Sequence, residues 1–220
     1  MLIWTQQDTQ IAFFKKHLQL YNPAATGLEN QMILSSTIRS QWSDVKGAPN
    51  VQLFNLSIPE GEKRLGYGAL LMMDKTFIEH QTRLFASFSY RLPIGEKNSL
   101  YLGVQGGGNH MNLNFNDLNL AHKDDGKLEN LTRFYPNIGV GVYYKMEKGF
   151  FSFSAPMLFG HKNKKNNEAI SPSPLDDPHL YLSVGIRYPA FAENWKYIVY
   201  TLVRWVDNAP TSSVINAGLA

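Results

Sequence analysis

The sequence has no cysteine, little charge, no long apolar run and few helix signals, and each shortage excludes something. The absence of Cys in 220 residues rules out a disulfide framework and any thiolate metal site. Charged residues make up 18% of the chain, against roughly 25% in ordinary soluble domains. The net charge of +3 is spread along the chain and is too weak to argue for nucleic acid. No stretch of about 18 uninterrupted apolar residues occurs, which excludes a membrane-spanning helix. The opening Met1, Leu2, Ile3 and Trp4 are too few for a signal-peptide core and lack a basic flank. One helical spacing stands out: Ile11, Phe14 and Leu18, within Thr9 to Leu20, predict a short helical turn near the N-terminus.

What is abundant is glycine (17 residues), aromatic side chains (13%) and alternation. Leu84, Ala86, Phe88, Tyr90 and Leu92 alternate with Phe85, Ser87, Ser89 and Arg91. After the polar break "PIGEKN", Leu100, Leu102 and Val104 alternate with Tyr101, Gly103 and Gln105, which predicts a hairpin with Gly95 in its turn. The pattern returns in Ile138 to Tyr144, in "FFSFSA" after the turn "KMEKG", in Leu180 to Tyr188, in Tyr197 to Trp205 and in Val214 to Leu219. About ten strands result, joined alternately by tight turns and by longer polar connections at 116–131 and 160–177. That asymmetry is the signature of an up-and-down barrel crossing a membrane.

Alternation alone leaves two architectures open. A soluble sandwich turns its apolar face inward; a membrane barrel turns it to lipid and lines its interior with small and polar residues. Three details favour the barrel. The polar face carries Gly103, Gly139, Gly141, Gly185, Ser87, Ser89 and Ser183, not the Lys and Glu of a wetted surface, and a curved interior favours small side chains. Aromatics gather near strand ends, at Tyr90, Tyr143, Tyr144, Tyr188, Trp195, Tyr197 and Trp205, as at the two interfaces of a bilayer. The strands run to about 9–11 residues, the length needed to cross at a tilt. On this reading Arg91, Arg187 and Arg204 face the lumen.

Nothing in the sequence converges as catalytic groups must. The histidines (His17, His80, His110, His122, His161 and His179) show no metal-ligand spacing, and no cofactor is expected. "HKDDGKLE" (122–129) lacks the alternating carboxylates of a calcium loop, and "HKNKK" (161–165) reads as a solvated loop. "GGG" (106–108) has no helix after it and predicts a bulge or kink in a long strand.

Several strings carry a resemblance to a known family. "LYNPAATG" (20–27) resembles the Tyr-Asn-Pro-Ala box of the PorP/SprF family, and "RSQWSDVKGAP" (39–49) is similar to its Arg-x-Gln-Trp and Gly-Ala-Pro segment. "GYGALLMMDK", "SYRLPIGEKNSLYLGVQGG", "PNIGVGVYYKMEKGFFSFSAP" and "LVRWVDNAP" follow in the family's order, so the resemblance spans the chain. It implies a non-enzymatic outer-membrane β-barrel of Bacteroidota within the type IX secretion and gliding-motility apparatus. Implied partners are outer-membrane lipid, a periplasmic peptidoglycan-binding lipoprotein, secretion-ring proteins and a secreted surface adhesin, with no nucleic acid.

The expected organisation is an N-terminal periplasmic segment, 1–28, and an all-β antiparallel up-and-down transmembrane barrel, 29–220. Family members are longer and carry a signal peptide, so a truncated barrel is expected. The motif residues Tyr21, Asn22, Pro23, Gly27, Arg39, Gln41, Trp42, Gly47, Ala48 and Pro49 are candidates for partner binding. Their plainer reading is local: Asn22-Pro23 as a turn, Arg39, Gln41 and Trp42 as a lumen and interface set, Gly47 and Pro49 as a bend. Rival functions are a passive pore or small-molecule transporter and a soluble β-sandwich binding module.

Overall fold

The computed structural model describes residues 17–42, 44–45, 47–59, 61, 64–115, 130–159, 178–189, 196–207 and 210–219. Residues 9–16 of the expected helix, with Ile11 and Phe14, and Trp195, His122, His161 and the strings 122–129 and 161–165 lie outside the described residues. Among the described residues helix is confined to α1 (Leu18–Tyr21) and a 3₁₀ turn (Pro23–Ala25).

Ten strands follow: β1 (Ile33–Ser40), β2 (Asn50–Ile58), β3 (Leu65–Thr76), β4 (Glu79–Ile94), β5 (Asn98–Leu113), β6 (Leu131–Met146), β7 (Gly149–Ala155), β8 (His179–Pro189), β9 (Lys196–Val206) and β10 (Ser212–Leu219). Each pairs antiparallel with its sequence neighbour in one meander, of which β1 and β10 are the edges among the described residues. The fold class expected from alternation therefore holds. A second sheet, as a sandwich requires, does not occur among the described residues.

The period of two fixes both faces. On β4, Ser87 and Ser89 are 1% and 3% exposed, whereas Phe88 between them is 49% exposed. Val104 and Val140, its outward neighbours on β5 and β6, are exposed as well. The apolar face is therefore the outside. On β4 it runs from Leu84 to Ile94, about 34 Å of strand, or about 26 Å along the normal at a 40° tilt. That matches the roughly 25 Å apolar band of a membrane barrel.

Two expectations change here. Strands β4, β5 and β6 each have 16 residues, longer than expected, because the hairpins continue past the apolar band as polar strand. Gly106, Gly107 and Gly108 form no bulge: their pairing with β4 and β6 steps residue for residue without a break. Tyr143 also leaves the aromatic set at the strand ends, since it is buried inside; its partners Tyr101 and Phe150 lie on the inner face too. The outward pair Tyr188–Tyr197 and the outward Trp205 keep their places at opposite ends of β8 and β9.

Candidate functional site

Residues 17–28 lie across the inner face of the sheet and are the centre of its core. His17, Gln19, Tyr21, Asn22, Pro23, Ala24, Ala25 and Thr26 are all buried. The local geometry starts with Asn22, whose Oδ1 accepts the Ala24 N–H at 2.9 Å and so caps the 3₁₀ turn that Pro23 opens. This satisfies a donor the turn would otherwise leave bare. The same side chain then ties the turn to the sheet: Nδ2 donates to the Val142 carbonyl of β6 at 3.0 Å.

Further bonds hold the segment around the curl. Ser154 Oγ on β7 donates to the Tyr21 carbonyl at 2.8 Å, and Ser89 Oγ on β4 donates to the Thr26 carbonyl. The Gly27 N–H donates to Ser57 Oγ on β2 at 2.8 Å, and His17 Nε2 meets Thr37 Oγ1 on β1 at 2.9 Å. Apolar contacts complete the circuit. Tyr21 packs on Tyr181 of β8 with ring centroids 5.3 Å apart, while Leu18 and Leu20 reach the cluster that includes Leu202 and Val214 of β9 and β10. One short segment thus reaches from the edge strand β1 to β8 and β9, and the sheet curls around it.

The small inward residues now have a sharper cause than curvature. A Cβ at Gly103 would fall on the backbone of Pro23 and Ala24, and one at Gly141 would fall on Asn22 Oδ1, both well inside contact distance. Beside them Ala24 packs against Tyr101, Tyr143 and Phe150, the last two stacked at 5.0 Å.

A second piece of chain closes the interior from the other side. Beyond β7, Asn137 Oδ1 accepts the N–H groups of Leu158 and Phe159 at 2.9 and 3.1 Å, and Gln105 Nε2 donates to the Pro156 carbonyl at 2.8 Å. Between the two pieces a cavity of about 30 Å³ is lined by Leu20, Leu70, Met72, Phe85 and Met157 among others. That is room for about two water molecules.

The motif "RSQWSDVKGAP" lies apart from this interior, in the β1–β2 connection. Arg39 is on the inner-face register of β1, opposite Val51. The Gln41 N–H donates to the Pro49 carbonyl at 3.1 Å and the Ala48 N–H to the Val45 carbonyl, which closes the loop. Trp42 stands out from it, 73% exposed with φ 50°, and Gly47 has φ 82°. The Gly47 carbonyl accepts the Phe77 N–H of the β3–β4 turn at 2.8 Å, so two neighbouring turns interlock.

Of the expected lumen arginines, Arg91 donates from Nε to Ser99 Oγ at 3.0 Å and Arg204 from Nε to Ser212 Oγ at 3.1 Å. Arg187 keeps the inner register opposite Ile198 but is exposed at the short-turn end. Sequence reading missed Arg83, which is buried on the inner face and donates to Gln81 Oε1 at 3.3 Å. Extending the alternation one step upstream of Phe85 finds it. The seat itself had no such signal, because Gly103 and Gly141 meet a segment some 80 to 120 residues away in sequence.

Among the described residues no group of three or more His, Asp or Glu side chains gathers as metal ligands. A single curled meander, apolar outside and filled inside by its own chain, defines a β-barrel type of membrane protein. The chain belongs to the PorP/SprF family of type IX secretion system membrane proteins, whose family model matches residues 3–220. No curated protein and no solved structure matches it.

Proposed function

We propose that this chain is a non-enzymatic outer-membrane component of the type IX secretion and gliding-motility machinery, acting by binding other proteins. The observation that carries this reading is the filled interior. A sheet whose outside is apolar and whose inside, among the described residues, is occupied by residues 17–28 and 156–159 is built as a filled body rather than as a channel. What such a body can do is hold partners at its two ends.

The end with the tight turns 95–97 and 147–148 faces the periplasm, as short turns do in outer-membrane barrels. The interior segment ends near that side, where Lys145 reaches the Leu28 carbonyl, and the turns there meet a peptidoglycan-binding lipoprotein and the secretion ring. The opposite end carries the connections between β5 and β6 and between β7 and β8, together with the exposed Trp42 of the motif loop. It faces the cell surface, where a secreted adhesin is held.

The test is fractionation of the chain expressed with a signal peptide, followed by cross-linking and pull-down. Outer-membrane fractionation that resists urea, with recovery of a peptidoglycan-linked lipoprotein, is the expected result. A soluble, monodisperse product would refute the membrane location. Vesicles containing the protein should take up sugars no faster than empty ones; fast uptake would favour the passive pore.

A further inference from the structure

We propose that the outward row Asn50, Lys75, His80, Asn112 and Thr132, with His110 one row below it, binds the phosphate of an anionic lipid headgroup. The row follows from register: Asn50 pairs with Lys75, Lys75 with His80, His80 with Asn112 and Asn112 with Thr132. Directly paired residues share a face with Cβ atoms about 5 Å apart, so five strands present a continuous line of donors some 20 Å long. The line faces outward because the intervening Met72, Arg83 and Met111 are buried inside.

Its height matters as much as its chemistry. Leu84 is the last apolar outward residue of β4, and Thr82 and His80 follow at two and four residues. At a tilt of about 40° Thr82 and His80 stand about 5 and 10 Å beyond Leu84 along the normal. The headgroup layer occupies about 5–7 Å on each side of the hydrocarbon, so Thr82 falls within it and His80 at its outer margin.

Charge agrees. Neither row carries a carboxylate across β2–β6. The acids of these strands take the other face, where Asp74 accepts from Thr76 Oγ1 and Glu79 from Gln81 Nε2. Lys75 and His110 are exposed, His80 is half-buried, and Lys75 makes no ion pair among the described residues. A face continuous with acyl-chain contacts selects a lipid phosphate over a soluble one. This inference rests on the membrane reading proposed above.

The test uses the full chain in phosphatidylcholine vesicles, with the association of spin-labelled phosphatidylglycerol measured against spin-labelled phosphatidylcholine. Preference for phosphatidylglycerol of about fivefold or more is expected, with about a fivefold loss in Lys75→Gln and none left in Lys75→Gln/His80→Gln/His110→Gln. Lys97→Gln, in a turn at the opposite end, should keep the preference. Equal association in the unaltered chain, or a preference that survives the triple variant, overturns the proposal. So does inorganic phosphate binding to the detergent-solubilised chain without any lipid preference. Urea resistance in net-neutral phosphatidylcholine reads the membrane location separately: insertion without selectivity sinks only the headgroup site, and failure to insert sinks both.

Discussion

Replacing Gly103 by Ala adds one methyl group, and its consequences can be worked from the seat of residues 17–28. The new Cβ would meet the backbone of Pro23 and Ala24 closer than 3.0 Å, whereas nonbonded carbons settle at about 3.5–4.0 Å. Backbone cannot rotate away as a side-chain tip can, so the segment must lift by about 1 Å. Overpacking of this kind costs about 1–3 kcal/mol. The same lift stretches the bonds from Asn22 to Val142 and from Ser154 to Tyr21, each worth about 1 kcal/mol. The expected destabilisation is therefore about 2–5 kcal/mol.

Gly106→Ala is the internal control, on the same strand but facing outward with no atom within 4 Å of the added Cβ. It should lie within about 0.5 kcal/mol of the unaltered chain. Urea unfolding in detergent, followed by tryptophan fluorescence, gives both numbers. Equal midpoints for the two alanine variants would refute the claim that this glycine exists to admit the segment.

Three other outcomes are expected. Asn22→Ala removes the turn cap and the bond to Val142 and should cost about 2 kcal/mol in the same unfolding assay; a change under half of that would mean the segment is seated by its apolar contacts alone. Ser152 and Ser183 share a buried hydroxyl bond of 2.6 Å, so either single Ala change should cost about 1–2 kcal/mol while the double change costs little more than one, a coupling that a double-mutant cycle measures. In the β6–β7 turn, the Lys97 ammonium 2.7 Å away holds the exposed Glu147 carboxyl below the usual carboxylate range. A carboxyl whose pKa is depressed by folding contributes stability above its unfolded pKa and loses it as pH falls through the folded one; Glu147→Gln should flatten that acid limb slightly, and salt should erase the difference.

The alternation of Leu84 to Leu92 and of Ile138 to Tyr144 was enough to read strands, turns and a meander, because side-chain direction in a strand is local geometry. The scarcity of charge on the Gly and Ser face also told which side would be inward, since a water-facing sheet needs charged residues there and an enclosed one does not. Arg91 and Arg204 share that face's parity and bond to Ser99 and Ser212. Composition misled at Gly106 to Gly108, where three glycines suggested a bulge but both neighbouring strands hold the ladder in register.

The seat was beyond sequence reading. "LYNPAATG" looks like a turn, and it does turn at Pro23, but nothing local says that Asn22 will reach a carbonyl on β6, 120 residues along the chain. Gly103 and Gly141 read as small residues; only the curled sheet, which brings β5 and β6 against the N-terminal segment, turns their missing side chains into space for another backbone. Periodicity determined the elements and their inner and outer faces, because both depend on neighbours two residues apart. Tertiary structure decided that the interior is filled, because filling it is a matter of contacts between segments that the sequence keeps far apart.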